Sequence, residues 1–308
     1  MLNFKKEQQV CDLGGIKIGG KVGEYPTVLI GSIFHKGDKI VSDEKLGIFD
    51  KKKAEELIYL QKELSDKTGN PCMLDVVGTY EQALKNYIDF ISGLTNESFL
   101  FNAPSSNLRI KLLNYIDEIG LNNKIIYTSI NYTVTKDELT AIRLYNIKSA
   151  LIQSLNPRNP RINGMLNILI GKNENDGLIN KAKKAGINKI LLLTNVFEVP
   201  SIGVASKGIY RLKKEFGLPT GTAPVGVIGK WCKENNLLTG NFKKACETTG
   251  VTLAQAMGAD FIIYGALKKS TYIFPAAAIV DAMIRFNSRI TFKIKPIEKN
   301  HPINRLYF

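Results

Sequence analysis

Seven polar residues stand at or just after the ends of short apolar segments, and their chemistry suits hydrogen bonding to a small polar ligand. They are Asp75, Asn102, Thr128, Asn131, Asn156, Thr194 and Asn195. Amides donate and accept hydrogen bonds, hydroxyls do both, and a carboxylate only accepts them. Asp75 is the one carboxylate among the seven residues. The set therefore suits substrate binding and lacks the two facing acids that a glycosidase needs.

Several other chemistries find no support in the residue types. The chain has two histidines, His35 and His301, so it cannot supply a His-rich metal site by itself. No Gly-x-Ser-x-Gly segment is present to hold a nucleophilic serine. The glycine cluster at 14–20 is interpreted as a hairpin. The cluster at 221–230 is interpreted as a flexible loop, since no Ser or Thr follows Lys230 as a phosphate-binding loop requires.

The elements that must position the polar residues alternate short apolar runs with longer amphipathic segments, a pattern typical of βαβ units. Strands are predicted at 27–32, 71–77, 98–101, 124–129, 149–155, 189–193, 219–222 and 260–264. Helical segments follow each of them, after a long Pro-rich loop in the case of the fifth. The first helix is predicted at about 50–67, with Asp50 as its N-cap and Gly69 as its C-terminal stop. Eight units and no ninth predict an α/β fold, a closed (β/α)8 TIM barrel. The strands of such a barrel end on one face, so the polar residues should converge there.

The two ends of the chain are predicted to lie outside the eight units. Residues of about 8–20 are expected to form an N-terminal β-hairpin that closes the bottom of the barrel. The segment of about 291–308 is basic and is expected to lie outside the barrel. With no Gly/Ser-rich linker in between, residues 1–308 are interpreted as a single domain.

Composition narrows the partners and the compartment. Forty-two basic and 28 acidic residues give a net charge of +14, which favours anionic partners through the summed field. The lysines are spread over predicted helices and are interpreted mainly as solvated faces. An acidic protein or a polyanionic cofactor is the alternative, and no nucleic-acid-binding motif accompanies the charge. Four isolated cysteines, no apolar run of membrane length and no secretory signal predict a soluble cytoplasmic protein.

Several longer strings resemble a known family. They are residues 23–34 (GEYPTVLIGSIF), 39–41, 47–51, 68–72 (TGNPC), 264–265, 274–276 and 280–281. These strings are similar to the family of the H subunit of tetrahydromethanopterin S-methyltransferase, with its related methylcorrinoid:tetrahydrofolate methyltransferases. The similarity runs from about residue 10 to about residue 290.

The resemblance implies a methyltransferase of one-carbon metabolism and methanogenesis. It implies a TIM barrel in which tetrahydromethanopterin or tetrahydrofolate lies at the strand ends and carries the methyl group on N5. The methyl group would pass between N5 and the cobalt of a corrinoid held by a partner protein or another subunit of a methyltransferase complex. Members of the family often pair as dimers, so a homodimer is an expectation as well.

The resemblance implies four departures from the pattern that is typical of pterin methyltransferases. Asn102 and Leu193 stand where that pattern has aspartate, and Thr128 and Gly226 stand where it has asparagine. Three interpretations stay open. Thr194 or Asn195 fills the role lost at Leu193; the site takes a different one-carbon carrier; or the chain is a non-catalytic homologue that binds or regulates a corrinoid protein. No catalytic residue is assigned.

Overall fold

Eight parallel strands of the chain close into a barrel. The computed structural model describes residues 2–171, 173, 176–236, 240–295, 297 and 299–306. The strands in chain order are β1 (Val10–Leu13), β2 (Ile16–Gly19), β3 (Val28–Ile33), β4 (Val41–Asp43), β5 (Ile48–Phe49), β6 (Cys72–Val77), β7 (Phe99–Asn102), β8 (Ile125–Ile130), β9 (Ser149–Gln153), β10 (Lys189–Thr194), β11 (Thr220–Thr222) and β12 (Phe261–Ala266). The barrel order is β3, β6, β7, β8, β9, β10, β11, β12 and back to β3. This confirms the predicted TIM barrel.

Helices surround this barrel and connect successive strands. They are α1 (Lys51–Thr68), α2 (Glu81–Leu94), α3 (Ser106–Glu118), α4 (Lys136–Leu144), α5 (Ile162–Ile170), α6 (Leu178–Lys184), α7 (Ser201–Phe216), α8 (Val225–Glu234), α9 (Asn241–Ala256), α10 (Ser270–Phe292) and α11 (Pro302–Leu306). The predicted caps of the first helix are confirmed. Asp50 accepts a hydrogen bond from the Lys53 amide, and Gly69 ends α1 in the left-handed conformation. No helix in the described part of the chain is both long and apolar enough to cross a membrane.

The N-terminal hairpin of β1 and β2 closes the bottom of the barrel, as predicted. Gly14 and Gly15 adopt φ values of +64° and +90° in its tight turn, where glycine is favoured. The buried side chains of Cys11, Leu13 and Ile18 join the apolar cluster that fills the lower lumen. The hairpin therefore excludes water from the N-terminal ends of the strands.

Two helices occupy segments that were predicted as loops. The Pro-rich loop after β9 contains α5, which packs against α7 through Met165, close to Gly208. The predicted flexible loop at 221–230 is wrong in its second half, which belongs to α8. Glycines lower the helix propensity of α8, but Val225, Ile228 and Cys232 repeat at helical spacing and are buried. In both cases burial outweighs local propensity.

A buried polar network ties β3 to α10 at the bottom of the barrel. Asp281 accepts hydrogen bonds from the Thr27 amide and hydroxyl, both at 2.8 Å, and from Asn70 Nδ2 at 2.6 Å. Gln255 Nε2 donates to the Thr27 hydroxyl at 3.2 Å. Thr27, Asn70 and Asp281 all belong to the strings that carry the family resemblance. These three residues of the strings therefore serve the fold at this end, far along the strands from the polar residues.

The C-terminal segment returns to the helical layer. Helix α11 packs against α10 and α1, and His301 just before it is fully buried. Gly69 approaches this segment so closely that a Cβ there would lie 2.2 Å from the Asn300 carbonyl oxygen. Residues 296, 298, 307 and 308 of the predicted tail lie outside the described residues.

Candidate functional site

The barrel interior changes from apolar to polar along the strands. Inward side chains alternate with those that face the helices. The lower inward positions are apolar and include Val28, Ile30, Met73, Leu100, Ile126, Leu151, Leu191 and Phe261. The next inward positions on five consecutive strands are Ser32, Asp75, Asn102, Thr128 and Gln153. We call these five residues the polar layer. It lies at the C-terminal ends of the strands, where TIM-barrel enzymes place their active sites.

Asp75 is the charged member of the polar layer. It is 3% exposed, and Ser32 Oγ donates a hydrogen bond of 2.8 Å to its Oδ2 atom. Burial raises the pKa of Asp75 to about 6, whereas hydrogen bonds from Ser32 and Asn102 and the proximity of His35 act in the opposite direction. A buried carboxylate with a raised pKa at this end of a barrel is a candidate for binding or catalysis.

The second oxygen of Asp75 is an unsatisfied acceptor. Oδ1 is buried, and none of the described residues donates a hydrogen bond to it. The same holds for Oδ1 of Asn195, just beyond the end of β10. A buried polar atom without a partner costs about 1–3 kcal/mol. Both oxygens would be satisfied by a ligand that carries N–H donors.

Asn102 and Thr128 lie beside Asp75 in the polar layer. They are register partners on β7 and β8, and Asn102 is near enough to Asp75 to lower the pKa of its carboxyl. The Thr128 hydroxyl donates to the Ile126 carbonyl at 3.2 Å, which leaves its oxygen able to accept. The structure thus brings Asp75, Asn102 and Thr128 together, at three of the positions predicted from sequence.

Two of the predicted site residues are occupied within their own loops. Asn131 Oδ1 accepts hydrogen bonds from the Thr133 amide at 2.8 Å and the Thr133 hydroxyl at 2.6 Å. Asn156 Oδ1 accepts from the Arg158 amide at 3.1 Å. Both are short-range side-chain to backbone contacts of the kind that shape turns. Asn131 and Asn156 are therefore held as loop residues above the strands.

The end of β10 separates the three residues that were considered for one role. Leu193 belongs to the apolar cluster inside the barrel and is 7% exposed. The side chain of Thr194 faces the helices, with Cγ2 near Gly208 of α7 and Oγ1 donating to the Gly221 carbonyl at 3.2 Å. Asn195 follows directly after β10, and its Oδ1 atom is buried. Thr194 therefore cannot replace the carboxylate missing at Leu193, and of the two residues Asn195 stays the candidate for that role.

Sequence reasoning missed Gln153, the fifth member of the polar layer. It ends β9, is half-buried, and pairs in register with Leu193. The signal was its spacing of two residues from the inward Leu151, which places it on the lumen side.

Three aromatic residues in the loops after the strands lie in different environments. Phe34 is buried and stacks on Tyr87 with ring centroids 4.1 Å apart, while Tyr132 and Phe197 are exposed in the loops after β8 and β10.

Arg109 supports the loop that follows Asn102. Its Nη1 atom donates to the Ala103 carbonyl at 2.9 Å, and its Nε atom lies 2.6 Å from Glu138 Oε1. Glu138 also completes the capping box at the start of α4 with Thr135. This buried ion pair couples the strand end that carries Asn102 to the first turn of α4.

A cavity of about 620 Å³ opens beside the loops after β8 and β9. Its lining includes Tyr132, Asn156, Arg158, Asn167 and Asp176. The lining joins an aromatic ring, two amides and a guanidinium, a set that can contact a flexible polar chain. Among the described residues, no three His, Cys, Asp or Glu side chains lie close enough together to hold a metal ion.

Comparison with known families assigns the chain to a methyltransferase family. The family model described as the tetrahydromethanopterin S-methyltransferase MtrH subunit matches residues 6–297. The chain belongs to this family. The predictions of the family and of a methyltransferase are thereby confirmed.

Relatives of this family align along their whole length. The H subunit of tetrahydromethanopterin S-methyltransferase from Methanothermobacter thermautotrophicus is 35% identical over 99% of this chain and 100% of its own. The H subunit of a putative methyltransferase, mtx, from Methanosarcina mazei is also 35% identical, with the same coverage of both chains. At this identity over nearly the whole of both chains, the overall fold is shared.

Solved structures with the same fold come from another group of barrels. Dihydropteroate synthase of Yersinia pestis, bound to a pterine–sulfa conjugate, superposes with a TM-score of 0.60 at 11% identity, over 90% of this chain and 98% of that one. The enzyme of Xanthomonas albilineans in complex with 7,8-dihydropteroate gives 0.53 at 12% identity, over 89% and 98%. At such low identity the likeness establishes the fold alone.

Proposed function

We propose that the chain transfers a methyl group between N5 of a tetrahydropterin and the cobalt of a corrinoid held by a partner protein. The observation that carries the proposal is the buried, unsatisfied Oδ1 of Asp75 within the polar layer, in a member of a methyltransferase family. The carrier is tetrahydromethanopterin or tetrahydrofolate. The chain would act in the cytoplasm, as one subunit beside the corrinoid-carrying protein.

The residues of the polar layer fit the aminopyrimidinone edge of a pterin. That edge presents N–H donors beside a ring carbonyl. Asp75 Oδ1 and Asn195 Oδ1 are two buried acceptors that lack donors among the described residues. The amides of Asn102 and Gln153 can donate as well as accept, so they can pair with the ring carbonyl and ring nitrogens. The heterocycle would then lie across the top of the barrel.

The chain contributes chiefly by binding and orienting the carrier. Holding N5 and its methyl group in line with the approaching corrinoid turns an encounter of two reactants into a positioned displacement. The reduced cobalt of the corrinoid supplies the electron pair that accepts the methyl group. The electron pair of the broken N–CH3 bond stays on N5, where a proton neutralises it. Because Asp75 would hold the aminopyrimidinone edge in its charged form, this proton would come from water.

The cavity beside the loops after β8 and β9 extends the proposed site outward. Arg158 and Asn167 line it and would contact the polar chain that a reduced pterin carries beyond its ring. Arg158→Ala is expected to raise the KM for the carrier and to leave kcat nearly unchanged, since contacts remote from the reacting atoms add uniform binding. An unchanged KM would remove the cavity from the site.

The decisive test compares two buried aspartates at opposite ends of the barrel. Asp75→Asn keeps the shape of the side chain but removes its charge, and it should weaken carrier binding about 100-fold, since charge-assisted hydrogen bonds are the strong ones. Asp281→Asn is the matched control, because Asp281 is also buried with a pKa raised to about 6 but lies at the bottom. Calorimetry with methylated tetrahydromethanopterin and tetrahydrofolate would measure binding. Cobalt absorption in the presence of a reduced corrinoid would report transfer.

One observation favours the alternative of a non-catalytic subunit. Leu193 faces the lumen with an apolar side chain where the family carries aspartate, so part of a pterin edge would stay unpaired. A binding or regulatory subunit would form a stable complex with the corrinoid protein and show no affinity for either carrier. Equal binding by wild type and Asp75→Asn, or none by either, would contradict the proposed methyl transfer and leave this alternative.

A further inference from the structure

Two of the four cysteines lie on a pair of helices that packs beside the barrel. Cys232 belongs to α8 and Cys246 belongs to α9, and these two helices contact each other. Helix α8 begins directly after the C-terminal end of β11, so the pair starts at the face that carries the polar layer. In the sequence, residues 233–245 separate the two cysteines, which form no recognisable motif.

The two helices run antiparallel, and a glycine on each of them allows a close approach. A Cβ on Gly250 of α9 would lie 2.7 Å from Ile228 Cδ1 of α8. A Cβ on Gly229 of α8 would lie 2.8 Å from Glu247 Oε1 of α9. As the residue number rises along α8, the number of the contacting residue on α9 falls.

This arrangement brings the two cysteines face to face. Cys232 is four residues after Ile228, and Cys246 is four residues before Gly250, so each lies one turn further along the contacting face of its helix. Cys246 packs against the apolar cluster that contains Ile228 and Cys232. Burial raises the pKa of the Cys232 thiol, and Cys246 is near enough to raise it further.

We propose that Cys232 and Cys246 form a redox-active pair, which a peroxide converts to a disulfide and a thiol reductant restores. Cys246 is half-exposed and Cys232 is 1% exposed, so the peroxide reaches Cys246 first. Oxygen transfer gives a sulfenic acid on Cys246 and one water molecule. The Cys232 sulfur then attacks the Cys246 sulfur, the S–S bond forms, and a second water molecule leaves. In total the two thiols lose two electrons and two protons to hydrogen peroxide.

The other two cysteines lack these features. Cys11 and Cys72 are 6% and 5% exposed, and they belong to two different apolar clusters. Burial raises the pKa of each of these thiols to about 11, so neither forms much of the reactive thiolate at neutral pH. They serve as internal controls for the reactivity of the pair.

The disulfide would reach the candidate site through one apolar cluster. Ile202 of α7 shares this cluster with Cys232, and Val196 packs against it. Val196 directly follows Asn195, whose Oδ1 atom is buried and lacks a donor among the described residues. Fastening α8 to α9 should therefore stiffen the loop after β10. The inference is independent of the proposed methyl transfer.

The first experiment maps the thiols of the full-length protein. The reduced chain is treated with a small excess of hydrogen peroxide, its remaining thiols are alkylated, and its peptides are identified by mass. Free thiols should fall from four to two, with one intramolecular disulfide between Cys232 and Cys246 that dithiothreitol reverses. Four free thiols after treatment, or a cross-link that involves Cys11 or Cys72, would overturn the inference.

Two single variants test the order of the steps. In Cys232→Ala, Cys246 should stop at the sulfenic acid, which dimedone traps, because no second thiol is there to attack it. In Cys246→Ser, Cys232 should remain a free thiol under the same treatment, because it is buried. Trapping of Cys232 in place of Cys246 would contradict the assigned order.

A second measurement reports what the disulfide does to the fold. Closing a loop of this length should raise the thermal midpoint of the oxidised wild type by roughly 4 °C above that of the reduced protein. Amide hydrogen exchange should slow in α8 and in the segment 196–202. Cys246→Ser is the matched control, and its thermal midpoint should be the same before and after peroxide. An oxidised wild type that exchanges as fast as the reduced protein in both segments would contradict the link to the candidate site.

Discussion

Asp75 is expected to destabilise the ligand-free protein at neutral pH, so its replacement by asparagine should raise stability while it removes binding. The ordinary pKa of an aspartate is about 3.8, and burial raises the pKa of Asp75 to about 6. The folded state therefore disfavours the charged form by about 3 kcal/mol, because a difference of one in pKa corresponds to about 1.36 kcal/mol. The pKa of Asp75 is raised in the folded state, so the preference of this state for the protonated carboxyl contributes fully to stability below about pH 4. This contribution is lost as the pH rises through about 6.

The magnitude should appear in the difference between wild type and Asp75→Asn. Asparagine is never charged, and its oxygen can still accept the hydrogen bond from Ser32. The variant should therefore gain about 2 kcal/mol relative to wild type between about pH 4.5 and about pH 8. Urea unfolding at the two pH values measures this change, because the other titrating groups cancel in the difference.

Asp281 provides the contrast that isolates the cause. Its pKa is raised to about 6 as well, but three donors from Thr27 and Asn70 point at its two oxygens. Asparagine would turn an N–H group toward one of these donors, so Asp281→Asn should destabilise by about 2 kcal/mol or more. A constant difference between wild type and Asp75→Asn from pH 4.5 to 8, or a less stable Asp75→Asn at pH 8, would refute the reasoning.

Three further predictions follow from named contacts. Carrier affinity should fall about tenfold per pH unit below about pH 6, as protonation of Asp75 competes with binding; a flat affinity profile by calorimetry would contradict this. Arg109→Met should destabilise the protein by about 3–5 kcal/mol, because it leaves Glu138 buried without the partner of its ion pair. Urea unfolding should show that the double variant Arg109→Met/Glu138→Leu is more stable than Arg109→Met. In thermal melts, Gly31→Ala should destabilise the protein by about 1–3 kcal/mol, since a Cβ there would lie 2.3 Å from a Gln61 oxygen. Gly93→Ala should stabilise it slightly, because a Cβ there would meet no described atom within 4 Å.

At position 226 the structure can accommodate either the glycine that is present or the asparagine that the family resemblance predicts. Gly226 is exposed in the first turn of α8, and a Cβ there would meet no atom of the described structure within 4 Å. An asparagine of the kind that the family resemblance predicts would therefore fit without strain. The fold therefore does not require glycine at this position.

The sequence by itself determined the architecture of this protein. Eight apolar runs with helical segments between them predicted the barrel, and Gly14-Gly15 predicted the hairpin that closes it. Asp50 and Gly69 marked the ends of α1. These features depend on local periodicity and turn chemistry, which neighbouring residues decide among themselves. The long family strings added the methyltransferase family, and Asp75, Asn102 and Thr128 were found because each lies near a strand end.

Only the tertiary structure decided which polar side chains share one space. Thr194 and Asn195 look equivalent in sequence, but the pleat of β10 directs Thr194 to α7, away from the lumen, while Asn195 follows the strand with its Oδ1 atom buried. Asn131 and Asn156 were predicted as ligand contacts, and the structure shows that the Oδ1 atom of each accepts hydrogen bonds within its own loop, while Asn156 also lines the cavity beside that loop. Gln153 entered the polar layer through its register with Leu193. In each case the role of the side chain depends on the direction in which the folded backbone points it, and the residue type alone does not give that direction.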